Sequence, residues 1–581
     1  MKNYGIFAII LILLLVFTGC DATETTSDAN ATTVSTTVSE DEITAADADM
    51  FTDRDLAGDY DAGEAVNIEL SGSSAEADGS GVTIDGSTIT ITEEGVYVVS
   101  GTLDDGMIIV DADEAKVQIV LDDASITNSD SAALYVKSAD KVFVTSPDGT
   151  ENTLETTGTF VAIDDNNIDG AVFAKDNIVF NGNGTLNITC ASGHGVVGKD
   201  DIKFCGGTYN ITASGDGVQA NDSVRVINSA ITINADEKGI KSDNDEDEEK
   251  GFIYISSNSD ITVDSEDDSL HASGTITVNG GTLNLATGDD GIHSDQTVVI
   301  NGGEINISES YEGIEGLEID ITGGDITLVA SDDGLNAAGG SDSSGTGGMG
   351  GDSFGFGGGG GGMDEVTEGA LISISGGRIH ITAGGDGIDS NGDLEISGGY
   401  TVVEGPTQGD TSVVDFNGTG NITGGTFIGT GGSGMAQAFS SVSGQGLIEV
   451  TIESQSSGSE VTLTDDSGNV IASVTPELDY AVVYISTPEM TEDGTYTLEA
   501  GNYSEEITLS DGTYSSLSGG MGGFGGQGGP GMSSDSSDSQ GGFGGGQGGQ
   551  GGPGGNDSVT GPTSNGSTSD SYESWGDEIA S

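Results

Sequence analysis

A motif returns along the middle of this chain at a nearly fixed interval, and that recurrence restricts the fold more than any other feature. SGHGVVGKDDIKFCGGTYNI, SGDGVQANDSVRVINSAITI, TGDDGIHSDQTVVINGGEINI and AGGDGIDSNGDLEISGGYTVV share one plan. A polar or acidic residue precedes a glycine; an aliphatic residue, a β-type run, a glycine-rich turn and a second β-type run follow. The marker glycines are Gly195, Gly217, Gly239, Gly291, Gly313, Gly334 and Gly387. Steps of 22 (195 to 217, 217 to 239, 291 to 313) and 21 (313 to 334) separate neighbours. Ser269 takes the marker position between Gly239 and Gly291, after the acidic insertion Asp243 to Glu249. A second, glycine-rich insertion, residues 339–362, stretches the step from Gly334 to Gly387.

Three short strands and three corners use up about 22 residues, so the period suits one coil of a parallel β-helix. No single coil can bury its inward aliphatics, so coils must stack, at roughly 4.8 Å. A leucine-rich repeat would need its Leu/Asn consensus, and a propeller blade about twice the length. The sequence therefore predicts an all-β protein, a right-handed parallel β-helix with coils of about 22 residues over residues 51–445. Different strand and turn signals, such as Glu460-Val461-Thr462-Leu463 and Asp466-Ser467-Gly468-Asn469, predict a small β-sandwich-like domain at 446–514. Residues 515–581 are Gly, Gln and Ser with few apolar side chains, the composition of a disordered tail.

At the other end, Lys2 and the apolar run Gly5 to Phe17 read as a signal peptide, residues 1–19, too short to span a bilayer comfortably. The run closes on Phe17-Thr18-Gly19-Cys20, which resembles a bacterial lipoprotein processing site. Cys20 is then the lipid attachment point, and a Ser/Thr/Asp-rich tether, residues 20–50, follows. This places the protein on the extracellular face of the cell membrane. Cys190 and Cys205 occupy non-equivalent positions of the repeat, so two unpaired thiols are expected.

The charge is −84, from 97 acidic and 13 basic side chains. Such a surface repels phosphate backbones, which excludes nucleic-acid binding, and it attracts divalent cations. Solubility of a β-rich protein is an equally good reason for the acidity. The regular repeat brings the acids together. The position before each marker holds Asp216, Lys238, Asp268, Asp290, Glu312, Asp333 and Asp386, with doubled acids at Asp267-Asp268, Asp289-Asp290 and Asp332-Asp333. Stacked carboxylates repel, and Ca2+, which takes oxygen ligands at about 2.3–2.6 Å, relieves the repulsion between rungs. Turn chemistry alone, each Asp capping its own backbone, is the competing account. Two residues after each marker runs a second row, Gln219, Lys241, His271, His293, Glu315, Asn336 and Asp389. It reads either as hydrogen-bonding groups for sugar hydroxyls or as a solvated face. The two histidines among hard oxygen neighbours favour calcium over a transition metal.

Several stretches resemble a family of secreted carbohydrate-binding β-helix proteins of clostridia and their relatives. They are FTDRDLAGDY, the GDDGIHS and SDDGLNA rungs, SYEGIEGLEIDITGGDI and GGTFIGTGGSGMAQ, and the likeness runs from about residue 51 to 515. The resemblance implies a pectate-lyase-like fold, bound calcium, and binding of polygalacturonate and cellulose without lyase action. It assigns no calcium ligand to a particular residue. A polysaccharide lyase and a structural or adhesive surface protein remain alternatives. A lyase needs a base, and beyond Lys250 the only basic residue is Arg378. Lys238 or Lys241 would have to serve.

Overall fold

A computed structural model describes residues 33–34, 44–338 except 245 and 248, 366–406 and 411–517. The signal peptide, Cys20, most of the tether, the insertion at 339–362 and the tail beyond residue 517 lie outside the described residues.

Alternation in the repeat becomes parallel strands that climb one above another. In one ladder Ile211, Ile233, Val263, Leu285, Ile307, Leu328 and Ile381 are successive Cα partners. All are buried. The strands that carry them alternate, as in Thr208–Ala213 and Asp260–Ser265, where every second side chain is exposed. A second ladder joins Lys141–Ser146, Asn177–Gly182, Asp201–Cys205, Ser223–Ile227 and Phe252–Ile255. The third holds the short strands after the markers: Val218–Ala220, Ile240–Ser242, Leu270–Ala272, the start of Ile292–Ile300, Leu335–Ala337 and Ile388–Ser390. Each of its strands pairs with its counterpart one coil on, Val218 with Ile240 and Ile240 with Leu270. The chain is thus all-β with a large, mostly parallel sheet around an aliphatic core, a β-helix-like fold. Burying each such Ile or Leu contributes about 1.5–3 kcal/mol, so the stack of coils, not any one coil, holds the fold.

Glycine is demanded at two kinds of place. In the Gly-Gly corners the second glycine is left-handed: Gly281 has φ +91°, and a Cβ there would lie 2.4 Å from the Ser259 carbonyl. At the markers the backbone runs close to the next coil; a Cβ on Gly291 would meet the Gly313 carbonyl at 2.6 Å.

Ordered structure starts earlier than residue 51. Thr44 and Thr52 form capping boxes with Asp47 and Asp55, starting the helices Ala45–Met50 and Asp53–Leu56. This segment lies along the outer side of the second ladder. Phe51 packs against Phe143, Val179, Cys205, Ile227 and Tyr254. The end of the stack is closed differently. Thr426–Gly431 pairs antiparallel with Tyr480–Thr487, which pairs antiparallel with Gly446–Gln455. A four-stranded antiparallel sheet, Val470–Val474, Val461–Asp465, Thr495–Ala500 and Tyr503–Thr508, packs on them through Ile428, Val450, Leu463, Val483, Leu498 and Ile507. Covering the last coil removes an open sheet edge. Cys190 and Cys205 are both free and buried, in separate apolar clusters.

Candidate functional site

The corner before the third ladder gathers the acidic row. Backbone bonds fix its register: Gly217 N–H donates to the Lys238 carbonyl, Gly239 to Asp268, Ser269 to Asp290, Gly291 to Glu312, Gly313 to Asp333, and Gly334 to Asp386. Asp216, Lys238, Asp268, Asp290, Glu312, Asp333 and Asp386 therefore occupy one equivalent position on successive coils.

One oxygen of most of these carboxylates is spent on that corner. Asp216 Oδ1 accepts from Lys238 N–H at 3.0 Å, Asp268 Oδ1 from Asp290 N–H at 3.1 Å, and Asp290 Oδ1 from Glu312 N–H at 3.2 Å. Asp333 Oδ1 accepts from Asp386 N–H, and Asp386 Oδ1 from Ser412 N–H. These bonds reach the backbone of the next coil, so the acids do not cap their own turns, and the corner uses Oδ1. At Asp268 and Asp290 the second oxygen meets a histidine. Asp268 Oδ2 is 2.9 Å from His271 Nδ1, and Asp290 Oδ2 is 3.0 Å from His293 Nδ1.

The second row also stacks in register, Gln219, Lys241, His271, His293, Glu315, Asn336 and Asp389, and continues to Asp415. It is not the open outward row that the sequence suggests. His293, Glu315 and Asn336 are buried, while Gln219, Lys241, His271 and Asp389 are half-buried. Neighbouring acids on the same and adjacent coils close over these side chains. His293 Nδ1 lies 2.7 Å from Glu315 Oε2, and Asn336 Nδ2 donates to Glu312 Oε2 at 2.7 Å. Both rows form one polar seam. In the acidic row, Asp216, Asp268, Asp289, Asp290 and Glu312 are buried, whereas Asp267, Asp332, Asp333 and Asp386 are half-buried.

The seam divides electrostatically. In its first part the chain supplies cations. Lys238 Nζ binds Asp267 Oδ1 at 2.8 Å and Asp268 Oδ2 at 2.6 Å. Burial acts to raise the Asp268 carboxyl, but the His271 hydrogen bond and the Lys238 charge hold it well below the usual range. Lys238 is pushed up, its burial outweighed by Asp268 and Asp267. His293 is likewise pushed up, because bonds to Asp290, Asp295 and Glu315 outweigh burial, while burial pushes its partner Asp290 up as well. Further along, acids accumulate. Burial first, then Glu315 and Asp290, pushes Glu312 up to about 9. Burial, with Asp389 and Asp386, pushes Asp333 up to about 8. Burial, with Asp386 and Asp415, pushes Asp389 up to about 7.

Asp333, Asp386 and Asp389 each place a carboxylate oxygen within 4.8 Å of the others. Two ligands on opposite sides of Ca2+ sit up to about 5 Å apart, so this all-oxygen group fits calcium. Asn336, between them and Glu315 in the second row, has a buried Oδ1 with no hydrogen-bond partner. Its Nδ2 is committed to Glu312 on the preceding coil. Asp268, His271 and His293 also place ligand atoms within 4.8 Å of one another, but this group fits a transition metal poorly. The His271 and His293 rings are 4.8 Å apart and nearly parallel, at 10°, so their in-plane lone pairs do not converge on one ion.

Two features escaped the sequence reading. His194 extends the seam backwards, its Nδ1 accepting from Asp216 N–H at 2.8 Å, and His194, Asp216 and Glu237 form another close group. Asp295 braces His293 Nε2 at 3.3 Å. His194 stands one residue before the marker Gly195, the acid position of its own rung, which is the signal that could have found it.

The profile of a family described as carbohydrate-binding domain-containing protein matches residues 85–334. That stretch contains the seam from His194 to Asp333. A curated relative of the same description, from Acetivibrio thermocellus, is 37% identical over 127 residues. The alignment covers 21% of this chain and 44% of the relative, so the chain spans under half of that relative's length. Among solved structures, a polysaccharide lyase-like protein from C. thermocellum, as a gadolinium derivative, is 28% identical with a TM-score of 0.37. That match covers 44% of this chain and 96% of the other.

Proposed function

We propose that this protein is a lipid-anchored surface protein that binds an acidic, uronate-rich polysaccharide through calcium held on the polar seam, without cleaving it. The all-oxygen group Asp333, Asp386 and Asp389 carries the reading, and the carbohydrate-binding-domain match supports the ligand class. The charge of −84 makes direct contact with a polyanion repulsive over about 8 Å at physiological salt. A cation between the two relieves this. Calcium takes about 6–8 oxygens, so an ion held by three carboxylates keeps positions for uronate oxygens. Half-buried Gln219, Lys241 and Asp389 supply polar groups at the seam's edge.

Lyase chemistry is disfavoured by the state of Lys238. A base must be unprotonated, and Lys238 is held as an ammonium by Asp267 and Asp268. Lys241 is paired with Asp243 at 3.2 Å. The test is sedimentation of the full chain with insoluble polygalacturonate. Binding is expected in calcium, lost in excess chelator and restored on readdition; Asp389→Ala should weaken it roughly tenfold or more. Undiminished binding by demonstrably metal-free protein would refute the bridge. Release of unsaturated uronate, absorbing in the ultraviolet, would establish a lyase instead.

The anchor gives a separate expectation. In a Gram-positive host, wild-type protein should partition with membranes, and Cys20→Ala should appear in the medium or remain unprocessed. A mature N-terminus away from residue 20 and free of lipid would exclude the anchor.

A further inference from the structure

Lys238 is the one lysine in the acidic row, and its surroundings are those of a cation site already filled. It stands at the position that Asp216, Asp268, Asp290, Glu312, Asp333 and Asp386 occupy on other coils. Its backbone behaves like theirs, the N–H capped by Asp216 Oδ1 at 3.0 Å. Its side chain does the opposite of theirs. Instead of adding a carboxylate, it carries an ammonium onto the next coil, 2.8 Å from Asp267 Oδ1 and 2.6 Å from Asp268 Oδ2. Asp267, Asp268 and Asp289 form a group whose oxygens lie within 4.8 Å of one another, the spacing shown by Asp333, Asp386 and Asp389. The first group is bridged by the Lys238 ammonium.

We propose that the Lys238 ammonium occupies, from within the chain, the place of one divalent cation, so that the Asp267–Asp268–Asp289 group takes no metal while Lys238 is present. The inference rests on the calcium reading of the seam and names which part of it is metal-free. An ammonium makes its bonds at about 2.7–2.9 Å and calcium at about 2.3–2.6 Å, so one pocket of carboxylates accepts either with small adjustment. Charge favours the exchange once the lysine is gone, because Asp267 and Asp268 lose the ammonium that binds both. Lys238 thereby sets how many ions the seam carries and where the metal-dependent part begins.

The experiment is an ion count on the full-length protein, stripped with chelator and titrated with calcium by equilibrium dialysis. Lys238→Met should bind one more calcium per chain than wild type, and Lys238→Arg the wild-type number. A folded Lys238→Met, judged by an unchanged circular dichroism spectrum, with the wild-type count would overturn the proposal. Should Lys238→Met unfold without metal, refolding on calcium addition supports the exchange. Failure of calcium to refold it, with Lys238→Arg folded, makes the ammonium a purely structural partner and overturns it. Wild-type protein that binds no calcium while Lys238→Met gains one ion would defeat the calcium reading of the seam and leave this one standing.

Discussion

Chelation at pH 8 is expected to lower the melting temperature by about 5 °C or more, and chelation at pH 5 by much less. An ion bound only to the folded state at a thousandfold excess over its dissociation constant stabilises by about 4 kcal/mol. Spread over a chain of this size, that is a shift of a few degrees, and more than one ion raises it. The pH arm follows from the metal-free protein. Glu312, Asp333 and Asp389 have folded-state values pushed up to about 9, 8 and 7, above an unfolded value near 4. A carboxyl raised in the folded state gives its full stability below the unfolded value. That stability is lost as pH rises through the folded value. Metal-free protein should therefore melt lower at pH 8 than at pH 5. Calcium on the proposed site would act in the opposite sense, because a metal binds the deprotonated groups whose repulsion causes the loss. Asp55 and Asp268, held below the usual range, remain ionised at both pH values and do not contribute in this window. Melting curves at the two pH values, with calcium and with chelator, decide it. A metal-free melting temperature that is flat or rises from pH 5 to pH 8 would show that the seam carries no such strain.

Much of this was written in the sequence, because a β-helix repeats its geometry. Marker glycines at a near-constant step fix a register, and a residue at a constant offset from the marker must stack. Both polar rows were legible for that reason. Depth was not. Whether His293 lies on a face or beneath one depends on how closely Asp290, Asp295 and Glu315 surround it, and no periodicity encodes that. The role of Lys238 was hidden likewise: its offset marks it as a member of the row, but its reach onto the next coil is a matter of side-chain length and direction. The helices at Ala45–Met50 and Asp53–Leu56 are too short to show a helical period. Their capping pattern, Thr44 with Asp47 and Thr52 with Asp55, was nonetheless present in the chain.

Those two short helices form a strap, and its lock is Asp55. Asp55→Ala is expected to release the strap and to cost about 3–5 kcal/mol locally, the penalty for stranding a buried charge. The Asp55 side chain is fully buried between two lysines: Oδ1 lies 2.9 Å from Lys141 Nζ and Oδ2 2.9 Å from Lys203 Nζ. Oδ2 also accepts from Thr52 N–H at 3.1 Å, so the same carboxylate starts the second helix. Burial acts to raise its carboxyl, and Lys203 and Lys141 outweigh that and hold it low. Lys203 in turn donates to the Met50 carbonyl at 2.8 Å, a bond that Arg225 duplicates at 3.1 Å. Arg54 lies over the Phe143 ring, and Tyr254 donates to Asp47 at 3.0 Å. This explains why the scarce basic residues cluster before residue 251: several of them hold the strap. Without Asp55, Lys203 keeps its burial and loses its counter-charge. Stacked coils open locally rather than all at once, so the loss should appear first at the strap. Hydrogen exchange should quicken at residues 47–58 and proteases should cut there, while the aliphatic ladder from Ile211 to Ile381 stays protected. Asp55→Ala combined with Lys203→Met should regain part of the loss, because the double variant leaves no stranded ammonium at that position. If the single variant exchanges and melts as wild type does, Asp55 is not the lock, and the remaining contacts of Asp47, Met50, Phe51 and Arg54 hold the strap.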